Sequence, residues 1–105
     1  MPPAPTCPDR LHPAVWQALL AVAEQFAARG LSVFVFGSFA TGTQHQASDL
    51  DVGFRRVHGT DTAAERDLRA AIDALPTIRQ VDLVDFDRAD PDFVRIASRH
   101  LIPLP

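Results

Sequence analysis

The sequence predicts an α/β or α+β domain in which a small mixed β-sheet of about three to four strands packs against helices. The chain has 105 residues, of which 47% are hydrophobic and 22% charged, and this is the size and composition of one globular domain. Helical and strand-like hydrophobic patterns follow one another in the order helix, strand, strand, helix, strand, helix. Such an order is typical of a sheet that helices cover.

Proline marks both ends of the chain and delimits the predicted domain. Its frequency over residues 1–11 predicts a disordered or extended lead-in, and two further prolines predict a short tail over residues 103–105. The single domain is therefore expected to occupy residues 12–102.

The first helix and the first strand are separated by a glycine. Apolar side chains recur at helical spacing over residues 13–29, and Gly30 is placed to end that helix. Residues 31–36 are mostly β-branched or aromatic and nearly apolar on both faces, which is typical of a buried central strand. Gly37 ends this strand.

The second strand is predicted over residues 48–54 and differs on its two faces. Apolar and polar positions alternate there, so one face is apolar while the other carries two carboxylates. The apolar positions are Leu50, Val52 and Phe54, and they alternate with Asp49, Asp51 and Gly53.

A second helix, a third strand and a last helix complete the pattern. Thr62 and Glu65 form a predicted capping box at the start of the second helix, which Pro76 ends. Residues 79–86 form the third predicted strand, with a carboxylate inside an apolar run. The short last helix begins at an N-cap aspartate, Asp90, which proline follows.

Charge and cysteine content exclude several classes of protein. The ten cationic residues are all arginine, thirteen residues are acidic, and the net charge of −3 argues against a general nucleic-acid-binding surface. The one cysteine, Cys7, cannot form an internal disulfide and has no metal-ligand spacing around it. No signal-peptide pattern and no membrane-length apolar run is visible, so we expect a soluble cytoplasmic protein without a membrane partner.

Three aspartates on predicted strands are the first candidates for chemistry. A charged side chain inside a buried strand is unfavourable unless it is paired or binds a cation. Asp49 and Asp51 project from one strand face about 7 Å apart, near enough for their oxygens to converge on a cation, and Asp82 on a neighbouring strand could complete the set. Carboxylate oxygens are the ligands that Mg²⁺ prefers. An Asp-X-Asp pattern alone is a weak indication, because aspartate is frequent in this chain.

A glycine-serine turn after the first strand is the second candidate. Gly37 and Ser38, followed by Ala40-Thr41-Gly42, could form an anion-binding pocket, because glycine lets the backbone approach a phosphate and the serine hydroxyl can bind it. The alternative is a tight strand-to-helix turn in which Ser38 serves as the N-cap.

Together these motifs resemble the DNA polymerase beta-like nucleotidyltransferase superfamily and its fold. The resemblance rests on Gly37-Ser38, ten intervening residues, the Asp49-Leu50-Asp51 motif, and Val81-Asp82-Leu83-Val84 on the third strand. It covers about residues 13–102 and includes the order of helices and strands. Within the superfamily the sequence is most similar to the minimal nucleotidyltransferases, which include the MntA-type antitoxins paired with HEPN-domain toxins.

The resemblance implies a reaction and a role for each motif. Gly37 and Ser38 would hold the β- and γ-phosphates of a nucleoside triphosphate. Asp49 and Asp51 would bind two Mg²⁺ ions, while Asp82 would help to bind one of them and accept the proton of the attacking hydroxyl. The implied reaction is the transfer of AMP from ATP with release of pyrophosphate, for which positioning and charge neutralisation suffice.

The glycine-serine segment departs from the family at one position. Many members have an arginine where this chain has Thr41, so the nucleotide contact expected from Thr41 and Gly42 lacks that charge. Arg55 or Arg56, at the end of the second strand, is an alternative phosphate contact. Ser48 is expected to orient its loop or the aspartate that follows it.

The resemblance also implies a partner. Larger members recognise the acceptor with a second domain, for which the predicted domain leaves no residues, so specificity would come from a partner or from assembly of several copies. The implied partner is a HEPN toxin, an RNase, that receives AMP on a hydroxyl, and the chain itself contains no tyrosine. Two alternatives stay open: a binding module that neutralises its partner by contact, and a nucleotidyltransferase for a small-molecule or tRNA acceptor.

Overall fold

The computed structural model describes residues 5–57 and 59–105. In these ranges it contains a mixed sheet of four strands and four helices. Residues 1–4 of the predicted lead-in lie outside the described residues. Of the helices in these ranges, none has the length and apolar character needed to cross a membrane. In chain order the elements are α1 (Pro13–Ala27), β1 (Leu31–Phe36), α2 (Ser38–Thr41), β2 (Leu50–Arg56), α3 (Ala64–Asp73), β3 (Val81–Asp85), α4 (Pro91–Ala97) and β4 (Ile102–Pro103).

The topology of the sheet brings three strand ends together. The strands lie in the order β3, β2, β1, β4, and β1 runs antiparallel to both β2 and β4, whereas β2 and β3 are parallel. This arrangement confirms the predicted mixed sheet and the α+β class. The end of β1 and the starts of β2 and β3 share one edge, because Phe36 pairs with Asp51 and Asp51 pairs with Asp82.

The two faces of the sheet are covered by different helices. On one face, alternate side chains of β1 and β2 are buried against α1 and α3 in the main core. On the other face, Phe34, Phe36 and Phe86 form a smaller cluster against α4, with ring centroids 4.7 and 5.1 Å from that of Phe86. Burial of each such side chain contributes roughly 1.5–3 kcal/mol. Successive side chains of a strand point to opposite faces of the sheet, so Asp51 lies on the α4 face, opposite to Leu50 and Val52.

The start of α3 differs from the predicted capping box. The helix begins two residues after Thr62, and Asp61 Oδ1 accepts the N–H of Ala63 at 2.8 Å. Glu65, the predicted partner of Thr62, instead forms an ion pair with Arg56. The capping-box prediction is wrong because a tertiary ion pair engages Glu65 while the neighbouring aspartate binds the backbone.

The strands begin later than the sequence predicts. Residues 48 and 49 and residues 79 and 80 lie in the loops that lead into β2 and β3. Asp49 is thus the last residue of a loop and not a strand residue. At α4 the prediction is confirmed, since Asp90 Oδ1 accepts the N–H of Asp92 at 2.8 Å.

Both ends of the described chain pack on the domain. Trp16 Nε1 donates to the carbonyl of Pro5 at 3.2 Å, and Leu11 is buried in the main core. At the other end, Pro103 pairs with Phe34 in the edge strand β4. The described part of the predicted lead-in and the start of the predicted tail therefore contribute to packing.

Arg56, at the end of β2, holds an ion network that we expect to stabilise the fold. Its guanidinium pairs with Asp85 at 3.0 Å, with Asp87 at 3.1 Å and with Glu65. Burial favours the neutral form of Asp85, whose side chain is 9% exposed, but hydrogen bonds from Arg56 and from the backbone of Asp87 hold its pKa below the ordinary value. Arg56→Met should lower the free energy of unfolding by about 2 kcal/mol, because it leaves a buried carboxylate without its main partner.

Urea unfolding at neutral pH measures this loss. Arg95→Met is the matched control, because Arg95 on α4 is 70% exposed and its partner Asp92 is 82% exposed. An exposed pair of this kind should contribute about 0.5 kcal/mol or less. Equal losses in the two variants would contradict the stabilising role of Arg56.

Candidate active site

Two aspartates face each other at the edge of the sheet where β1 ends. Asp51 in β2 and Asp82 in β3 occupy paired positions of the parallel ladder. Asp49 lies two residues before Asp51, in the loop that leads into β2. The structure therefore brings Asp51 and Asp82 side by side, with Asp49 next to them.

Gly37 connects β1 to α2 and lies directly against Asp51. Its φ of +73° and ψ of −152° fall in a region that is essentially restricted to glycine. A Cβ at this position would lie 2.1 Å from Asp51 Oδ2, closer than non-bonded atoms approach. Gly37 itself occupies the N-cap position of α2 and Ser38 is the first helical residue, so the alternative in which Ser38 is the N-cap is wrong.

The surroundings of Asp51 disfavour its charged form. Burial, and after it the negative charges of Asp82 and Asp49, raises the pKa of Asp51 from 3.8 to about 6. At neutral pH this carboxylate is ionised, but its surroundings make ionisation less favourable than it is in water. A divalent cation at this place would relieve both the burial of the charge and the repulsion, and carboxylate oxygens are the ligands that Mg²⁺ prefers. The donor chemistry of the three aspartates thus fits Mg²⁺.

The three carboxylates are not gathered into one ready-made cluster. Within residues 5–57 and 59–105, no three side chains of His, Cys, Asp or Glu are arranged so that they could hold a metal ion. Asp82 Oδ1 accepts a hydrogen bond from Gln80 Nε2 at 3.0 Å. Like charges repel when no cation lies between them, which disfavours a closer approach of the carboxylates. Convergence of Asp49, Asp51 and Asp82 on one ion would therefore require these side chains to move.

Two cavities of different character share Asp51 in their walls. The larger cavity, of about 630 Å³, has Gly37, Asp51 and Asp82 on one side and apolar side chains of β1, β3 and α4 on the others. The smaller cavity, of about 410 Å³, is formed by Ser38, Asp49, Asp51 and polar side chains of the loop before β2. The first suits an apolar group, and the second suits a polar or charged one.

The remaining residues of the predicted nucleotide site divide into two groups. Ser38 and Ser48 line the smaller cavity, and Ser48 is buried, with its Oγ accepting the N–H of His45 at 2.9 Å. Ser48 thus holds its own loop in shape. Thr41 is exposed and donates to the carbonyl of Ser38 at 3.2 Å, while Gly42 ends α2. Among the described residues, Thr41 and Gly42 line neither cavity.

The two arginines considered as substitute phosphate contacts are engaged elsewhere. Both lie at the far end of β2 from Asp51. Arg55 donates to Ser98 Oγ at 3.0 Å and lies over the ring of Phe34, 5.3 Å from its centroid, and Arg56 belongs to the ion network described above. Neither arginine lines the two cavities beside Asp51. The structure therefore gives no support to a phosphate contact by either residue.

Sequence reasoning did not single out Arg79 and Gln80, which lead into β3. Gln80 binds Asp82, and Arg79 binds backbone carbonyls of the loop that precedes Asp49. The available signal was only indirect: an arginine and an amide side chain stand immediately before the strand that carries Asp82.

Comparison with known proteins assigns this arrangement to a family. The family model described as polymerase beta, nucleotidyltransferase, matches residues 26–102. The chain belongs to this family. The match includes the Gly37-Ser38 turn and all three aspartates, so it confirms the predicted superfamily and its fold. No curated protein gives a significant match to this nucleotidyltransferase.

Solved structures of similar fold agree with the family. A protein described as a minimal nucleotidyltransferase is 31% identical, with coverage of 85% of this chain and 92% of that one and a TM-score of 0.66. A toxin-antitoxin complex with AMP-PNP is 24% identical over 85% of this chain and 71% of that one, with a TM-score of 0.60. A mutant of the toxin-antitoxin MntA-HpeT is 20% identical over 85% and 70% of the two chains, with a TM-score of 0.59. These last two show likeness of fold.

Proposed function

We propose that this nucleotidyltransferase transfers AMP from ATP to a hydroxyl group of a partner protein in a reaction that depends on Mg²⁺. The observation that carries the proposal is the placement of Asp51 and Asp82 at paired positions beside the Gly37 turn, where no side chain separates the turn from the carboxylate. A loop aspartate, Asp49, adds a third charge that disfavours ionisation of Asp51. Such a concentration of carboxylates is unfavourable unless a cation compensates it.

The smaller cavity is the proposed place of the triphosphate. Ser38 lines it, and Gly37 allows the backbone to approach the β- and γ-phosphates closely. Ser48 keeps the opposite loop in place through its bond with His45. Thr41 and Gly42 would contribute by shaping α2, since their own atoms lie away from the cavity.

The three aspartates would act on the reacting groups. Asp49, Asp51 and Asp82 would hold the metal, and bound Mg²⁺ would neutralise phosphate charge at the reacting phosphorus. Asp82 would accept the proton of the acceptor hydroxyl. The acceptor oxygen forms a bond to the α-phosphorus as the bond to the oxygen bridging to the β-phosphate breaks, and pyrophosphate leaves.

The two cavities suggest the direction of attack. In an in-line displacement, the attacking and leaving oxygens lie on opposite sides of the phosphorus. If pyrophosphate leaves through the cavity that Ser38 lines, the acceptor enters through the larger cavity, which Asp82 lines. The rim of that cavity includes Phe93 and Ile96, which are 40% and 57% exposed.

A toxin with a HEPN domain is the proposed acceptor, and the cytoplasm, where ATP is available, is the proposed location. Two of the similar solved structures are toxin-antitoxin complexes, and one of these contains AMP-PNP. The exposed apolar rim formed by Phe93 and Ile96 gives a partner protein a surface next to the carboxylates. In this proposal, the AMP group attached by the protein silences the toxin.

One observation favours a second candidate function, a module that neutralises its partner by contact alone. Among the described residues, the carboxylates are not arranged as a metal cluster. Under this alternative, wild-type protein and an Asp49→Ala, Asp51→Ala variant would neutralise the toxin equally well. Under the enzymatic proposal, only the wild type neutralises it.

Incubation with α-labelled ATP, Mg²⁺ and the cognate toxin tests the proposed reaction. We expect label on the toxin with the wild type and with Asp73→Asn, and none with the Asp49→Asn, Asp51→Asn variant. Asp73 is the matched control because it is exposed at the end of α3 and lines neither cavity beside Asp51. An unlabelled toxin in the presence of folded wild-type protein would contradict the proposal.

A further inference from the structure

Arg79 lies between α3 and β3 and contacts three separate parts of the chain. Its guanidinium donates to the carbonyl oxygens of Gln46 at 3.1 Å, of Arg10 at 3.1 Å and of Ser48. The same group lies over the ring of Phe39 in α2, 5.1 Å from the ring centroid. Arginine can make all these contacts because its planar fork carries five N–H donors and its face stacks on aromatic rings.

These contacts converge on the backbone around Asp49. The carbonyl of Ser48, which Arg79 binds, belongs to the peptide unit that leads into Asp49. On the other side, the N–H of Leu50 donates to the carbonyl of Gln80 at 2.9 Å. Two consecutive residues, Arg79 and Gln80, thus hold the chain immediately before and immediately after Asp49.

The loop of residues 43–49 depends on contacts of this kind for its orientation. Its internal hydrogen bonds join the N–H of Ser48 to the carbonyl of His45 at 3.0 Å and the N–H of His45 to Ser48 Oγ at 2.9 Å. These bonds define a turn at residues 45–48. The start of the loop has its own anchors, because the N–H of Thr43 donates to the carbonyl of Ser38 in α2 at 3.1 Å and Gln44 Nε2 donates to the carbonyl of Asp9 at 2.9 Å. Arg79 binds the end of the loop, at Gln46 and Ser48. Arg79 joins this turn to Arg10 and Phe39 in other parts of the domain.

The same dipeptide also reaches a second aspartate. Gln80 Nε2 donates to Asp82 Oδ1 at 3.0 Å. One short segment before β3 therefore contacts the backbone next to Asp49 and the side chain of Asp82. Through these two contacts the segment acts on the backbone before Asp49 and on the carboxylate of Asp82.

We propose that Arg79 is a positioning residue that fixes the end of this loop, residues 46–49, and thereby holds Asp49 beside Asp51. The kinetic part of this inference rests on the proposed function, whereas the structural part rests on the contacts of Arg79 alone. The two parts can therefore be tested separately in the 105-residue chain.

Amide hydrogen exchange tests the structural part. In Arg79→Met, exchange at the amides of Ser48 and Leu50 should become about tenfold faster relative to amides in the centre of β1, because the loop loses its anchor. Arg56→Met is the matched control, since Arg56 also has several partners but lies at the other end of β2. That control should leave the same relative rates within about twofold.

Steady-state kinetics of AMP transfer tests the second part. Arg79→Met should lower kcat about tenfold or more and also raise the KM for ATP, because the loop end that Arg79 fixes carries Asp49 and lines the smaller cavity. Arg79→Lys should recover part of kcat, because an ammonium group can bind one or two of the carbonyl oxygens but lacks the planar fork.

The outcomes separate this inference from the proposed function. Unchanged exchange at Leu50 in Arg79→Met, or exchange raised equally along the whole sheet, would overturn the positioning role. A kcat of Arg79→Met equal to that of the wild type would overturn it as well. The wild type could transfer no AMP while amide exchange at Ser48 and Leu50 is faster in Arg79→Met. This result would contradict the proposed function and support the structural part of the inference.

Discussion

Asp51→Asn should abolish nucleotidyl transfer while making the metal-free protein more stable at neutral pH. The variant removes a proposed metal ligand, and the loss of several kcal/mol of transition-state stabilisation corresponds to a rate lower by about a thousandfold. It also removes a charge that burial, Asp82 and Asp49 all disfavour. Activity and stability are therefore expected to change in opposite directions at this position.

The pH dependence gives the sign of the stability effect. The pKa of Asp51 is about 6 in the folded protein and 3.8 for the ordinary group. The folded state therefore binds this proton more tightly than the unfolded state, so the contribution of Asp51 to stability falls as the pH rises from 3.8 to about 6 and then levels off. A difference of this size corresponds to about 3 kcal/mol, and solvent screening of the partly exposed carboxylate reduces it to roughly 2 kcal/mol at neutral pH.

Urea unfolding of the wild type and Asp51→Asn in a chelating buffer, across this pH range, checks the expectation. The stability of the wild type relative to that of the variant should fall between pH 3.8 and about 6. Asp73→Asn is a suitable control, because Asp73 is an exposed residue at the end of α3. A variant that is less stable than the wild type at neutral pH would contradict the charge repulsion inferred at Asp51.

Gly37→Ala should destabilise the protein and reduce AMP transfer more than the same substitution at Gly42, the glycine that ends α2. The backbone conformation at Gly37 is one that other residues adopt at a free energy of about 1–3 kcal/mol. In addition, the new methyl group would meet Asp51 Oδ2 at 2.1 Å, so either the turn or the carboxylate must move. Misplacement of a reacting group by about 1 Å can lower a rate by roughly a hundredfold.

Gly42→Ala is the matched control for this effect. Gly42 also has a positive φ, of +81°, but nothing lies within 4 Å of the Cβ that alanine would add. That variant should lose about 1 kcal/mol, since a left-handed conformation is its only penalty, and its AMP transfer should fall far less than that of Gly37→Ala. Thermal unfolding and label transfer from ATP measure both variants. If Gly37→Ala and Gly42→Ala lost the same stability and the same activity, the close approach of Gly37 to Asp51 would not contribute to function.

Much of the fold follows from local patterns that the sequence displays. The strand over residues 31–36 is nearly apolar on both faces, and in the structure its two faces contribute to two different clusters, Val33 and Val35 to one and Phe34 and Phe36 to the other. Alternation along β2 predicts which side carries Asp51, and the structure confirms that Leu50 and Val52 are buried on the opposite side. Periodicity was sufficient here because each side chain faces a fixed layer.

Other features could not be predicted because they depend on distant contacts. The strand β4 has two residues, one of them a proline, and proline is acceptable there because β4 lies at the edge of the sheet. The position of Arg79 depends on carbonyl groups of Arg10 and Ser48, and a backbone carbonyl has no residue type that a sequence pattern can reveal. The capping box failed for a similar reason, since Glu65 in α3 forms an ion pair with Arg56 of β2.

The candidate site was predictable in its composition but not in its arrangement. The aspartates and the Gly37 turn stand out in the sequence, because carboxylates on strands and a glycine before a serine need an explanation. Their mutual placement depends on the parallel register of β2 and β3, which pairs Asp51 with Asp82. No local pattern specifies this register.

Calorimetric titration of the purified protein with AMP-PNP in the presence of Mg²⁺ tests the central claim most directly, because it needs no acceptor. We expect binding by the wild type that depends on Mg²⁺ and that is lost in the Asp49→Asn, Asp51→Asn variant. Such a result would establish that the carboxylates and the Gly37 turn form a nucleotide site. Binding that is equally strong in the variant, or no binding by the wild type, would contradict that claim.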